Sequence, residues 1–249
     1  MKQTDNHAVA PVTRALIIAA GRGIRLNEHS QEIPKCLISV GEHSIIETIL
    51  ATLQRAGIAE VVIVTGYKKE VIEQRLGEGG QFGLKLRYVN NPDWHKKNGV
   101  SVYAARHYFA AHEQFLLMMS DHLFAPELLH TLMQAPIAAG EIALAVDRKV
   151  NAIFDIDDAM KVVFDGKHVN NIGKMLREYN GIDCGLFKCT TGLFEALAAA
   201  MRKGDCSLSD GCSQLIAAGK MRGVDIGAAF WIDIDTPEAL AFAIEKLKV

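Results

Sequence analysis

The sequence predicts an α/β protein built on a doubly wound, mostly parallel sheet, with a β-rich insertion in its second half that lies against that sheet. Two observations carry that expectation. Apolar, strand-length runs alternate with helical stretches up to about residue 140, which is the rhythm of βαβ crossovers. From about residue 141, short strand-like pieces follow one another through tight turns, the pattern of hairpin-joined strands.

Taken in order, residues 1–13 are polar and lack an apolar core, so they read as a frayed tail and not as a secretory leader. Residues 14–249 read as one domain. The runs at 15–20, 61–65, 84–89 and 115–120 are apolar enough to be parallel strands buried on both faces. Ser44 and Glu47 have the spacing of a capping box, opening a helix that ends near Gly57. Further helical stretches cover about 69–76 and 99–109. Strand-like pieces at 141–147, 152–156, 161–164 and 168–172 come next, with Asp165-Gly166 as a hairpin turn. A strand at 182–188, helices near 191–202 and 207–218, a last strand reaching Trp231 and a closing helix from Pro237 complete the chain. In such sheets ligands bind outside the carboxyl ends of the strands, which is where the Gly21 loop and Asp121 fall.

Bulk properties narrow the function. The chain has 249 residues, 49% hydrophobic and 22% charged, with a net charge of −2. Those values exclude a disordered or collagen-like chain, and the mixed charge offers no nucleic-acid-binding surface. No apolar run reaches membrane-spanning length. Cys36, Cys184, Cys189, Cys206 and Cys212 form no C-x-x-C pair, so free thiols in a reduced cytoplasm are expected, not a disulfide framework or a zinc site.

The segment Ala15–Leu37 is the most informative. Its apolar run ends in Gly21-Arg22-Gly23-Ile24-Arg25, and Pro34-Lys35 follows nine residues later. A strand feeding a glycine turn exposes backbone N–H groups in a concavity that suits phosphate, and Arg25 and Lys35 add two positive charges. A dinucleotide fingerprint would need a third glycine where Leu26 stands, and a Walker loop would need Gly-Lys-Ser/Thr. Together Ala19, Ala20, Gly21, Gly23, Arg25, Pro34, Lys35 and Leu37 resemble the A-A-G-x-G-x-R and P-K-x-L pattern of the Rossmann-like nucleotidyltransferases that make nucleoside-diphosphate sugars and alcohols. The resemblance implies that the loop cradles a nucleotide triphosphate while Arg25 and Lys35 neutralise the departing pyrophosphate.

Asp121 ends a strand, and Trp231-Ile-Asp-Ile-Asp-Thr-Pro-Glu238 places Asp233 and Asp235 on one face of an extended segment. Magnesium takes one or two carboxylates together with substrate phosphates. Capping of the last helix is the competing role for Asp235 or Thr236. The resemblance implies metal sites at both places, with Asp121 and Asp235 as the favoured Mg²⁺ pair and Asp233 as an alternate or supporting ligand. An attacking phosphate is already ionised and needs no general base, so His122 reads as a packing or hydrogen-bond partner of Asp121.

Asn98 and Ser101 open a helix and are either caps or, as in pyrimidine-specific members, readers of the base; Gly66 would leave room for the base ring. Further on, Phe154-Asp-Ile-Asp-Asp-Ala-Met-Lys161, Asn171-Ile-Gly-Lys174 and Tyr179-Asn-Gly-Ile-Asp-Cys-Gly185 resemble the acceptor region of CTP:inositol-1-phosphate cytidylyltransferases. The resemblance implies Lys161, Lys174 and Lys149 on an acceptor phosphate and Asp183 on a polyol hydroxyl or the ribose, although exposed strand ends are the ordinary fate of lysine. The implied reaction joins CTP to inositol 1-phosphate in a cytoplasmic enzyme, alone or as a homodimer. Phosphocholine, aminoethylphosphonate and sugar 1-phosphates are the rival acceptors, and a nucleotide-binding sensor is the rival class. Aromatic residues are 7% of the chain and thinly spread, so no cage for a quaternary ammonium is expected.

Overall fold

The computed structural model describes residues 12–23 and 33–247. In chain order the elements are β1 (Arg14–Ala19), β2 (Ser39–Val40), β3 (His43–Ser44), α1 (Ile45–Arg55), β4 (Glu60–Thr65), α2 (Lys69–Leu76), β5 (Lys85–Asn90), α3 (Asn98–Ala104), β6 (Gln114–Met119), β7 (His122–Phe124), α4 (Pro126–Gln134) and β8 (Ile142–Asp147). They continue with β9 (Lys161–Phe164), β10 (Val169–Gly173), β11 (Gly181–Thr190), α5 (Gly192–Ala200), α6 (Leu208–Ala217), β12 (Met221–Asp225), β13 (Trp231–Asp233) and α7 (Pro237–Leu247). Among the described residues no helix is long and apolar enough to cross a membrane.

Nine strands form the main sheet, which runs β10-β9-β11-β6-β1-β4-β5, with β8 pairing β11 and β12. The segment β6-β1-β4-β5 is parallel, as the βαβ rhythm predicts. Along β1 the side chains alternate between two cores. Ala15, Ile17 and Ala19 face one, and Leu16, Ile18 and Ala20 face the other. Period-two alternation inside an all-apolar strand means helices cover both faces. Ile45, Ile46, Ile49, Leu50 and Leu53 of α1 bury one helix stripe in the first core. Helix α1 starts at the expected capping box: the Ser44 N–H donates to Glu47 Oε2 at 2.7 Å and the Glu47 N–H to Ser44 Oγ at 3.4 Å.

The insertion differs from expectation in placement. Its strands do not lie against the main sheet but extend it through β11, which runs antiparallel to β6, β8 and β9. The Asp165-Gly166 turn is as predicted, with Asp165 Oδ1 accepting the N–H groups of Lys167 and His168 at 2.8 and 2.7 Å. Residues 152–156 are not a strand. Asp155 captures local N–H groups there, from Asp158 by its side chain and Ala159 by its carbonyl, and such bonds compete with a ladder. The helix expected over 99–109 stops at Ala104 and gives way to a 3-10 turn over Arg106–Tyr108, after which Phe109 stacks on Phe115, 4.0 Å between ring centroids. The expected last strand is two strands: β12 lies parallel to β8, and β13 pairs antiparallel with β7. Most of the expected tail lies outside the described residues, yet Val12 is buried and the Thr13 carbonyl accepts the Ala59 N–H at 2.8 Å, so these two belong to the fold.

Phe115 is fully buried and stacks on both Phe109 and Phe194. Phe115→Ala is expected to cost about 3–5 kcal/mol, lowering the melting temperature by about 10 °C in a chain of this size. A calorimetric scan checks it; a shift under about 3 °C would mean the trio does not anchor this core.

Candidate active site

Parallel pairing decides where the site forms. Ile18 of β1 is level with Met119 of β6, so the Gly21 loop and Asp121 leave the sheet side by side. Antiparallel pairing of β13 with β7 sets Asp233 opposite His122. A single turn of 3-10 helix, Lys35–Leu37, brings in Lys35. Gly23, with φ +62°, lies so close to that lysine that a Cβ would sit 2.5 Å from Lys35 Cβ, so glycine is required there. Gly21 has no positive φ, and a Cβ on it would meet nothing within 4 Å: the space beside it is open.

Lys35 is the hub. Only 7% of the residue is exposed. Its Nζ donates to Asp121 Oδ2 at 2.6 Å and to Asp235 Oδ1, and stands 3.7 Å from Asp233 Oδ1. Burial opposes its charge, but the three carboxylates outweigh burial and raise its pKa above the ordinary lysine value. Burial likewise works against ionisation of Asp121, yet Lys35 and His122 hold its carboxyl well below the usual range. His122 Nδ1 lies 2.8 Å from Asp121 Oδ1. Burial would neutralise that imidazole, but Asp233 and Asp121 push its pKa up to about 9.

Asp233 is the unbalanced member. Its Oδ1 is buried without a hydrogen-bond partner among the described residues, and burial raises its pKa. Ligand atoms of Asp121, His122 and Asp233 lie within 4.8 Å of one another. Among the described residues two cations, Lys35 and a protonated His122, face three carboxylates, and Asp233 Oδ1 has no hydrogen-bond donor. A divalent cation fits that oxygen-rich, net-negative set. The capping alternative for Asp235 falls away, because the Thr236 hydroxyl caps α7 by accepting the Ala239 N–H at 3.1 Å.

Ala19, Gly21, Gly23, Lys35, Asn98, Asp121, Lys149, Lys174, Asp183, Asp233 and Asp235 all line one cleft of about 780 Å³. Asn98 Oδ1 accepts the Leu208 N–H at 2.8 Å, so it ties to the first turn of α6, which Ser207 caps, and does not cap its own helix. Lys174 Nζ donates to Asp158 Oδ1 at 2.6 Å. Lys149 Nζ donates to the Gly227 carbonyl at 2.6 Å and pairs with Asp147 at 2.8 Å. Burial pushes the Asp183 carboxyl up to about 6, against the Gly185 N–H it accepts.

Other candidates stand away from the cleft. Ser101 is buried and its hydroxyl accepts from Asn91 Nδ2 at 2.9 Å. The room beside Gly66 is taken by Trp94, whose Cβ would sit 2.4 Å from an added methyl. Ala20 is buried, with its carbonyl on the Tyr67 N–H. Lys161 Nζ donates to the Lys174 carbonyl at 3.0 Å, so it braces the chain at Lys174 and does not face the cleft. Arg25 lies outside the described residues. The thinly spread aromatic residues do gather: Phe154, Phe230 and Phe242 line the cleft, with the Phe242 centroid 5.7 Å from that of Phe154 and 6.3 Å from that of Phe230. Sequence spacing held no hint of this, because the three come from distant segments.

A glycine loop at parallel strand ends, faced by a buried lysine and strand-end carboxylates, belongs to the class of phosphate-handling α/β transferases. The chain belongs to the MobA-like NTP transferase domain family, whose profile matches residues 15–155. It is similar to a bifunctional IPC transferase and DIPP synthase of Rubrobacter xylanophilus, 35% identical over 236 residues, 94% of this chain and 51% of the relative. It is also similar to a 2-aminoethylphosphonate cytidylyltransferase of Lancefieldella rimae, 32% identical over 170 residues, 64% of this chain and 62% of the relative. The fold matches the solved inositol-1-phosphate CTP transferase from T. maritima with a TM-score of 0.83 at 24% identity, covering 96% of this chain and 97% of that one. The chain spans about half the length of the bifunctional relatives it matches.

The raised His122 pKa has a testable sign. A histidine titrating near 6.5 when unfolded and about 9 when folded stabilises fully below about pH 6.5, and that contribution is lost as the pH rises through about 9. Denaturant melts of chelator-treated protein from about pH 6 to 10 are expected to show a decline of about 3 kcal/mol or less that His122→Gln lacks. Parallel profiles for both proteins would show that His122 is not charged in the fold.

Proposed function

We propose that the chain is a cytidylyltransferase that transfers CMP from CTP to a phosphorylated small alcohol, with inositol 1-phosphate the foremost acceptor. The products are CDP-inositol and pyrophosphate. The observation that carries the reading is the Lys35 ammonium among Asp121, Asp233 and Asp235, beside the Gly21 loop, in a cleft that also holds Lys149 and Lys174. Relatives named IPC transferase and DIPP synthase that match nearly the whole chain, and the shared fold of an inositol-1-phosphate CTP transferase, support the acceptor.

An oxygen of the acceptor phosphate attacks the α-phosphorus of CTP in line, and the bond to the β-phosphate oxygen breaks. The nucleophile arrives ionised, so His122 moves no proton. Its work is to hold Asp121 by the 2.8 Å hydrogen bond. The Gly21 loop offers backbone N–H groups and open space to the triphosphate, and Lys35 with Arg25 offsets charge on the departing pyrophosphate. Lys149 and Lys174 hold the acceptor phosphate against repulsion from CTP. Asp121 and Asp233, with Asp235 in support, would hold Mg²⁺, which would supply Lewis-acid neutralisation of phosphate charge when bound. The Asn98 amide donates to cytosine N3, an acceptor in cytosine and a donor in uracil.

A cationic acceptor such as phosphocholine is the second reading, favoured by the Phe154, Phe230 and Phe242 wall. Lys246 Nζ already lies 5.5 Å from the Phe242 centroid, and its charge would repel a quaternary ammonium, so the neutral polyol ranks first.

Pyrophosphate release across a panel of NTPs and acceptors tests both. CTP with inositol 1-phosphate is expected to exceed every other pair, and a tenfold advantage for phosphocholine would replace the acceptor. Lys35→Met is expected to lower kcat/KM for CTP by about a hundredfold or more. Asp121→Asn and Asp233→Asn are expected to lose orders of magnitude, and Asp235→Asn less. If Asp235→Asn proves more damaging than Asp233→Asn, the cation sits on Asp235. Asn98→Ala is expected to narrow the CTP over UTP preference by about 1–3 kcal/mol.

A further inference from the structure

Asp147 ends β8 as Asp121 follows β6, yet the proposed reaction leaves it without a role. Only 3% of it is exposed, and a buried carboxylate is costly unless its oxygens are satisfied. One partner is local, two residues on, and the other comes from a distant strand. Oδ1 accepts the Lys149 N–H at 2.7 Å and pairs with the Lys149 ammonium at 2.8 Å; Oδ2 accepts the Trp231 indole N–H at 2.8 Å.

The indole continues the chain of contacts. Its rings stack on His122, with centroids 5.8 Å apart and planes within 14°. Gly185, φ +72°, approaches the same imidazole so closely that a Cβ would stand 2.5 Å from His122 Cδ2. Held by Trp231 and Gly185, the imidazole meets Asp121 Oδ1 at 2.8 Å. An unbroken set of directed contacts therefore runs Lys149–Asp147–Trp231–His122–Asp121.

We propose that Asp147 is a positioning residue that couples Lys149, on the acceptor phosphate, to the Asp121 carboxylate through Trp231 and His122. The proposal rests on the roles given above to Lys149 and Asp121. Its physical content is that one buried carboxylate fixes both the cation that receives the acceptor and the indole that orients the imidazole. The two phosphates are thus brought together at a set separation, and in-line transfer is sensitive to small misplacements.

The test uses the full chain, Asp147→Asn, Trp231→Phe and the double variant. Trp231→Phe keeps an aromatic ring on His122 and removes the N–H donor. Readouts are the dissociation constant for Mn²⁺ by electron paramagnetic resonance without nucleotide, and the acceptor KM and kcat from pyrophosphate release. Each single variant is expected to raise the acceptor KM and to weaken Mn²⁺ binding by about tenfold, the range for partners that orient metal-site ligands. The double variant is expected to be no worse than the worse single one, because both cut the same link. Wild-type constants in either single variant that is folded, with only a lowered melting temperature, would reduce Asp147 to packing and overturn the proposal; so would additive losses in the double. If Asp147→Asn fails to fold, Trp231→Phe decides by the same criteria. Wild-type protein that binds Mn²⁺ but releases no pyrophosphate from CTP would refute the proposed reaction, and the Mn²⁺ constants would still decide the coupling.

Discussion

The site depends on one buried ammonium. Without Lys35, Asp121, Asp233 and Asp235 would crowd into a poorly solvated space as three like charges, which no fold sustains at neutral pH without protonation or an added cation. With Lys35 in place, two of the three hydrogen-bond to it directly, and the third keeps an oxygen with no donor among the described residues. The cluster is thus stable enough to be preorganised and unbalanced enough to accept a further positive charge. Two architectural details serve that hub. Pro34 and a single 3-10 turn deliver the lysine from one side, and Gly23 lets the loop close over its stem.

The antiparallel extension is the second determinant. Strand β11 joins the parallel half to β8 and β9, and its register slips between Asp183 and Phe187. At that irregularity Gly185 takes a positive φ, as bulges commonly require. The slip has a chemical consequence. It opens the strand surface by one Cβ, and His122 fills the gap. The same ten-residue strand therefore closes the sheet, places Asp183 in the cleft and seats the imidazole that holds Asp121.

The end of the cleft proposed to take the acceptor combines opposite chemistries. Lys149 and Lys174 are cationic, Asp155 and Asp158 are acidic, and Phe154, Phe230 and Phe242 are apolar. Each lysine is paired with a carboxylate, an arrangement that would keep it oriented for a phosphate. Phenylalanine faces can pack against the C–H face of a ring polyol as readily as against an ammonium. Acceptor identity is therefore a matter of a few partner exchanges around a fixed centre, consistent with a family fold that serves several phosphorylated alcohols and phosphonates.

The features legible along the chain are local ones. Apolar runs specified buried strands and Ser44 with Glu47 specified a helix start, because each rests on neighbours in the chain; the glycine loop and Lys35 pointed to the cleft they line. Asp121, Asp233 and Asp235 were also visible as candidates. Which of them would be tied to Lys35, and which left with an orphaned oxygen, depended on the β7–β13 register and on Thr236 taking the cap. Ser101 and Lys161 had the right residue types at plausible places, yet tertiary packing turned Ser101 to Asn91 and Lys161 to a backbone carbonyl. Asp147, Trp231 and Gly185 became part of the site only through contacts between distant segments, such as Asp147 with Trp231, 84 residues on. A motif records which groups are available; long-range strand register and buried hydrogen bonding decide which of them meet.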